Sequence, residues 1–257
     1  MRLSVFGLGY VGCVSAACFA KEGHEVVGVD VNPTKVEIIN DGRSPIVEPG
    51  MDELIAEVVA AGRLRATTAA KEAIESSDVS LVCVGTPSAP NGSLNLTYVK
   101  RVCEEIGAAI EGKSRPHTVV IRSTMLPGTI EGVVVPTLEI YSGKKVGRDI
   151  GICINPEFLR EGSSLADFYS PPFTLIGADD EETARMVGRL YARIEAPLFV
   201  TSIKSAEMVK YACNCFHALK VSFANEIGNI CKALGIDSHE VMEIFCRDTK
   251  LNLSPYY

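Results

Sequence analysis

Positive charge is in deficit. Lys and Arg number 25 against 32 Asp and Glu, a net charge of −7 over 257 residues. A general nucleic-acid binder gains affinity by neutralising phosphates with Lys and Arg, so this balance argues against that class. It leaves room for one small phosphorylated ligand, which a helix N-terminus can hold locally. No apolar run reaches transmembrane length, and no leader precedes the core strand that begins within two residues of Met1. The expectation is a cytoplasmic protein without membrane contact. No C-x-x-C pair occurs among the nine cysteines, Cys13, Cys18, Cys83, Cys103, Cys153, Cys213, Cys215, Cys231 and Cys246. Most lie in apolar stretches such as Leu81–Val84 and Gly151–Ile154. In a reducing compartment they read as small buried hydrophobes, not disulfides or zinc ligands. No metal site is expected. No internal repeat or low-complexity linker appears. Hydrophobic residues make up 47% and charged ones 22%, ordinary values for a soluble globular chain of one large domain or one and a half.

What is present begins at the first residues. The apolar run Leu3–Phe6 reads as a buried strand and leads into GLGYVG, which fits G-x-G-x-x-G at Gly7, Gly9 and Gly12. An amphipathic stretch, Cys13 to Glu22, follows and closes at Gly23. Strand, tight turn and helix are the order of a dinucleotide-binding unit. Gly7 permits the turn, Gly9 lets backbone approach a pyrophosphate, and Gly12 lets the helix lie close on the strand. A second strand, His24 to Val29, ends in Asp30, 18 residues after Gly12. An acid there accepts hydrogen bonds from an adenosine ribose and repels a 2′-phosphate, which favours NAD over NADP. Lys35 lies nearby. The bland alternative is a doubly wound fold whose glycines only shape a turn.

Further along, helices are expected over 32–40, 51–61, 69–75, 97–110, 129–140 and 181–194. Strands are expected over 64–67, 79–84, 118–121, 150–154, 173–177 and 198–201. The fold class is α/β, a Rossmann-like, doubly wound, mostly parallel sheet over residues 1–201. Each apolar strand runs into a loop rich in Gly, Pro and Thr. Ligands of open α/β sheets bind outside the carboxyl ends of the strands. The tips at Tyr10 and Val11, Asp30, Thr86, Thr124 and Glu161 are therefore expected to converge on one crevice. Taken singly, Thr86 or Thr124 reads equally well as a helix cap.

Composition changes near Ser202. Lys204 to Leu234 reads as one helix without Pro, closed by Gly235, longer than the usual globular helix of about 8–20 residues. Residues 202–257 are expected to hold this connecting helix and the start of an all-α dimerisation domain. Advancing about 100° per residue from Lys210 puts Glu207, Asn214, His217 and Asn225 on one stripe. Val209, Cys213, Cys215 and Phe216 fall away from it and look like packing. A merely solvated face would favour Glu, Lys and Arg in i,i+4 pairs. Asn and His are poor helix formers, so the stripe suggests hydrogen bonding to a ligand.

GLGYVG, SPIVEPG, VGTP, RSTMLPGT, NPEFLREGSSLADF and AEMVKYACNCFHALKVSFANEIGNI, in this order, resemble the nucleotide-sugar 6-dehydrogenases. The resemblance covers the whole chain, and NPEFLREG with K-Y-x-x-N is specific to that family. His217 and the final Lys250–Tyr257 stretch resemble members acting on GDP-mannose more than those acting on UDP-glucose. The resemblance implies a primary alcohol oxidised to a carboxylate by way of an aldehyde and a cysteine thioester, with two NAD reduced per sugar. GDP-mannose would give GDP-mannuronate for an alginate-type exopolysaccharide. It implies that Tyr10, Val11, Asp30, Lys35, Thr86 and Thr124 contact NAD. Lys210 and Asn214 would stabilise the alkoxide and later oxyanions, donors worth about 3–4 kcal/mol each in comparable sites. Glu161 and Thr124 would assist water and proton transfer. His217, Asn225, Tyr256 and Tyr257 would hold the nucleotide sugar, which Glu161, Lys210 and Asn214 also touch. A homodimer through the long helix is implied.

One departure matters. The family's nucleophilic cysteine lies in a G-G-x-C-x-P-K-D segment, and none of the nine cysteines here has that context. The expectation is that these 257 residues bind NAD and do not by themselves carry the oxidation through to the acid. Three rivals stay open: a UDP-sugar dehydrogenase, a non-catalytic NAD-binding or dimerisation module, and a hydroxy-acid or amino-acid dehydrogenase on the same fold. The last would need a different catalytic set, which nothing else in the sequence supplies.

Overall fold

A computed structural model of the chain describes residues 1–248. They divide into two compact units, the first spanning Met1–Lys210 and the second beginning at Tyr211. The first is an eight-stranded sheet in the order β3-β2-β1-β4-β5-β6-β7-β8. The strands are β1 (Arg2–Phe6), β2 (Glu25–Val29), β3 (Leu64–Thr67), β4 (Val79–Val82), β5 (His117–Ile121), β6 (Ile150–Ile154), β7 (Thr174–Ala178) and β8 (Leu198–Thr201). All neighbours are parallel except β6 and β7. The segment between those two holds the short helix α7 (Ser164–Tyr169). The short helix itself was not anticipated. The order reverses between β1 and β4, which makes the ends of those strands the topological switch point.

The other helices of this unit are α1 (Tyr10–Lys21), α2 (Pro33–Asn40), α3 (Met51–Ala60), α4 (Ala70–Ser76), α5 (Thr97–Glu111), α6 (Val135–Ser142) and α8 (Glu181–Gly188). Two apolar layers sandwich the sheet. Leu3, Val5, Phe19, Ile55 and Leu81 belong to one, and Phe6, Val82, Ile106, Ile121 and Leu138 to the other. Several expectations need correction. α1 starts at Tyr10, three residues early, and is not amphipathic: every residue from Gly12 to Ala20 is buried. The helix expected at 129–140 opens as a π-turn over Ile130–Val134. Pro136 has no N–H to give and crowds the carbonyl four residues back, so the turn widens and the Val135 amide reaches Ile130. The helix expected to reach residue 194 ends at Gly188 and tightens into a 3₁₀ turn, Arg189–Tyr191.

A buried polar chain crosses the amino ends of the central strands. The Lys113 ammonium donates to the carbonyls of Ile74 and Ser77 and to His117 Nδ1. His117 Nε2 meets Ser80 Oγ at 2.6 Å, and Ser80 Oγ meets Ser4 Oγ at 2.7 Å. His117 is 1% exposed, and burial, with the neighbouring Lys113 charge, pushes its pKa down to about 3. A depressed basic pKa means the unfolded chain binds the extra proton first. The His117 contribution to stability is therefore complete above pH 6.5 and is lost as pH falls towards 3. Between pH 7 and pH 5 it amounts to about 2 kcal/mol. Denaturant titrations at the two pH values should show that loss in the wild type and a correspondingly smaller one in His117→Asn. Equal losses in both would sink the assignment.

The long helix α9 (Ile203–Leu234) forms as expected, and its first two turns belong to the first unit. The second unit holds the rest of α9 and α10 (Ser238–Phe245), a helix not anticipated. Asp237 caps α10 by accepting from the His239 amide at 2.8 Å. Phe223 and Phe245 bring the two helices together, with ring centroids 5.4 Å apart. The packing role expected for Cys213, Cys215 and Phe216 does not hold in the single chain: both thiols are exposed and Phe216 is 42% exposed. Cys246 is exposed as well, so three of the nine cysteines are exposed rather than buried hydrophobes.

Candidate active site

The site is built from strand ends. At the end of β1, Gly7 sits at φ +90°, a conformation that side chains resist, and its amide donates to the Val29 carbonyl at 2.8 Å. A Cβ on Gly12 would lie 1.8 Å from the Gly7 carbonyl oxygen, so α1 approaches the turn only with glycine there. Gly9 caps α1 without a side chain, and a Cβ on it would meet nothing within 4 Å. The space beside Gly9 at the start of α1 is therefore uncrowded. At the end of β2, the Asp30 carboxylate accepts the Leu8 amide at 2.7 Å and the Asn32 amide at 2.9 Å. Lys35 Nζ stands 3.5 Å away.

These groups share a cavity of 410 Å³ at the switch point, lined by Gly7, Gly9, Asp30 and Lys35 together with Cys83, Tyr98 and Arg101. Burial pushes the Cys83 thiol up to about 12, which leaves it unreactive at neutral pH. Tyr98 and Arg101, one turn of α5 apart, were not anticipated; only a folded chain brings α5 against the end of β2. A larger hollow of 610 Å³ lies beside α8 and β8 and contains none of the anticipated residues.

The remaining tips are linked to the cavity in sequence and do not all line it. Thr86 Oγ1, beyond β4, donates to the Thr124 carbonyl at 2.8 Å, tying the β4 and β5 loops. Tyr10, Val11, Thr86 and Thr124 are not part of the cavity wall. The Tyr10 hydroxyl is engaged by the Glu48 carboxylate at 2.5 Å. Of the five tips expected in one crevice, Asp30 lines the cavity, and Gly7, Gly9 and Cys83 bring the ends of β1 and β4 to it. Beyond β5, the amides of Gly128 and Ile130 donate to Glu207 at 2.6 and 3.0 Å. Glu207 is fully buried; burial raises its pKa, and those two amides oppose the rise. A stripe residue of α9 is thereby explained as a clamp on the β5 loop.

Lys210, one turn on, is 6% exposed. Its ammonium donates to the Glu157 backbone carbonyl and to the Glu157 carboxylate, 3.1 Å for the latter, over the Phe158 ring. An ammonium has three N–H groups, so one remains without an acceptor among the described residues. Behind it, Arg122 donates from Nη1 to Asn155 Oδ1 at 2.5 Å and to the Tyr191 hydroxyl at 2.6 Å. Burial opposes the Arg122 charge, but Tyr191, Cys83 and Glu157 outweigh it and raise its pKa above the ordinary value. Asn155 in turn donates to the Leu175 carbonyl at 2.9 Å. This network fixes the end of β6, and so the carbonyl on which Lys210 rests.

The sequence reading missed Glu157. Of the two acids in NPEFLREG it named the second, Glu161, which the structure leaves exposed. The signal was Pro156, which cannot continue a strand and stands directly before Glu157. Asn214, His217 and Asn225 lie in the second unit and are exposed. Tyr256 and Tyr257 lie outside the described residues. Among the described residues no group of His, Cys, Asp or Glu is arranged to hold a metal, and no helix is long and apolar enough to cross a membrane.

Residues 1–195 match a family model described as UDP-glucose/GDP-mannose dehydrogenase family, NAD binding domain, and residues 204–257 match the central domain of the same family. A GDP-mannose 6-dehydrogenase of Azotobacter vinelandii is 55% identical over the whole chain. A UDP-glucose 6-dehydrogenase of Haloferax volcanii is 42% identical over 98% of it. The chain spans 59% of the length of each. Among solved structures, a ternary complex of GDP-mannose dehydrogenase from Pseudomonas aeruginosa superposes with a TM-score of 0.98 at 54% identity, covering all of this chain and 59% of that one.

Proposed function

Because this chain belongs to the UDP-glucose/GDP-mannose dehydrogenase family, we propose that it supplies the cofactor-binding and oxyanion-stabilising parts of an NAD-dependent GDP-mannose 6-dehydrogenase. The observation that carries the reading is the buried Lys210 ammonium, held by Glu157 with one N–H to spare, at the same sheet edge as a glycine-turn cavity. The residues fit NAD: the uncrowded Gly9 at the start of α1 for the pyrophosphate, and the Asp30 carboxylate for a ribose. When bound, NAD accepts hydride from the substrate carbon. Lys210 donates its third N–H to the oxygen on which charge develops, in a setting where Glu157 and Arg122 are already ordered. Nothing must reorganise as that charge forms. Glu157 keeps Lys210 aimed, and Thr86 and Thr124 brace the loops at the cavity's edge.

The substrate preference rests on likeness. The GDP-mannose 6-dehydrogenases above 50% identity outrank the UDP-glucose relative at 42%. Asn214, His217 and Asn225 would meet the nucleotide sugar. A homodimer fits the apolar side chains of the second unit, among them Leu219 at 62% and Ile244 at 67% exposure. A cytoplasmic place suits an enzyme fed by NAD and a nucleotide sugar, and supply of an alginate-type polymer follows from the product. The deciding experiment is NADH yield from the full-length gene product. Two NADH per GDP-mannose, with no turnover of UDP-glucose, is the expected result. Turnover of UDP-glucose alone would move the assignment to the UDP-sugar branch. NAD binding without turnover of any sugar would leave a binding module.

A further inference from the structure

The loop between α2 and α3, Ser44 to Gly50, carries two prolines and one acid, Glu48. That acid is 8% exposed. No cation pairs with it among the described residues. Its carboxylate takes three neutral donors instead: the Ser164 amide at 2.8 Å on one oxygen, and the Gly162 amide at 2.8 Å and the Tyr10 hydroxyl at 2.5 Å on the other. Burial works against the charge, and these donors outweigh it, holding the carboxyl below its ordinary range. Only an ionised carboxylate accepts on both oxygens and donates on neither, so the pocket is shaped for that group.

The donors come from two places. Tyr10 opens α1, directly after Gly9 of the glycine turn. Gly162 and Ser164 lie just after Glu161. The other side of that segment is tied to Asp167, which accepts the Arg160 amide at 2.9 Å, the Arg160 guanidinium at 2.6 Å and the Ser163 hydroxyl at 3.1 Å. Residues 160, 162, 163 and 164 are all fastened. Glu161 alone has its side chain free, with no hydrogen bond or ion pair among the described residues.

We propose that Glu48 is a positioning residue: it sets the backbone that aims Glu161 and joins it, through Tyr10, to the glycine turn, so the two move as one body. The proposal rests on the proposed function only in taking Glu161 to act on substrate, the part in water and proton transfer that the family resemblance implies for it. Glu48→Gln keeps the size but turns an NH₂ towards a donor. In the full-length gene product the Gly162 and Ser164 amides should exchange with deuterium roughly tenfold faster or more, while β1, β4 and β5 amides keep their rates. The kcat for sugar oxidation should fall by about tenfold or more, with the KM for NAD within about threefold. Tyr10→Phe removes one donor of three and should shift the same amides by less. The double variant should be no worse than Glu48→Gln, because both act on one network.

Unchanged exchange at Gly162 and Ser164 in a folded Glu48→Gln protein overturns the proposal. So does faster exchange with kcat intact in a working enzyme. If Glu48→Gln does not fold, Tyr10→Phe carries the same exchange test. If the wild type oxidises no nucleotide sugar, the proposed function fails, and the exchange result still decides whether Glu48 holds the segment.

Discussion

Replacing Lys210 with methionine in the full-length protein is expected to lower kcat by roughly 10²–10³, the usual loss of an oxyanion donor. NAD affinity should stay within about threefold, because Lys210 is no part of the cavity wall. The same change leaves the Glu157 carboxylate, 13% exposed, without its cation. Breaking a buried pair on one side costs about 3–5 kcal/mol, so the melting temperature should fall as well. Lys210→Met combined with Glu157→Gln separates the effects: stability should recover in part and turnover should not. Steady-state rates and thermal melts on the three proteins check this. A folded Lys210→Met protein with wild-type kcat would remove Lys210 from the chemistry.

The second large effect is expected at Asp30. Its carboxylate faces the cavity while accepting the Leu8 and Asn32 amides. Hydrogen bonds to a charged group are worth about 1.5–3 kcal/mol each, so losing the ribose contacts of Asp30→Ser should weaken NAD by roughly 10²-fold. Lys35 and Arg101 line the same cavity. With the carboxylate gone, these cations face a 2′-phosphate unopposed, and NADP affinity should rise as NAD affinity falls. Asp30→Asn keeps the shape and removes only the charge. If it behaves like Asp30→Ser, charge discriminates between the cofactors; if it binds NAD normally, the acid serves mainly to order the turn. Fluorescence or calorimetric titration with both dinucleotides gives the answer without any turnover.

The legible parts of this protein are those in which function is carried by local backbone geometry. G-x-G-x-x-G after an apolar run requires a strand, a turn with positive φ and a close helix, and Gly7 and Gly12 meet those demands within six residues of each other. Asp30 was legible because its place depends only on the length of one helix and one strand. β6 was legible to the residue because its apolar run ends abruptly at Asn155 and Pro156.

What the chain could not disclose in one dimension were its long-range partners. Glu157 and Lys210 are 53 positions apart, and Glu48 and Ser164 are 116 apart. No periodicity relates such pairs; they meet only once the chain has packed. The amphipathic reading of α1 failed for the same reason. A helix packed on all sides shows no polar face, and its neighbours, α3 and α7, come from later in the chain. The sequence by itself determined the fold class and the cofactor turn, since these follow from steric rules and spacing within single elements. Only the tertiary structure decided which carboxylate serves Lys210, which acid clamps the β5 loop and which one steadies Glu161, because burial and hydrogen-bond partners are properties of the packed chain.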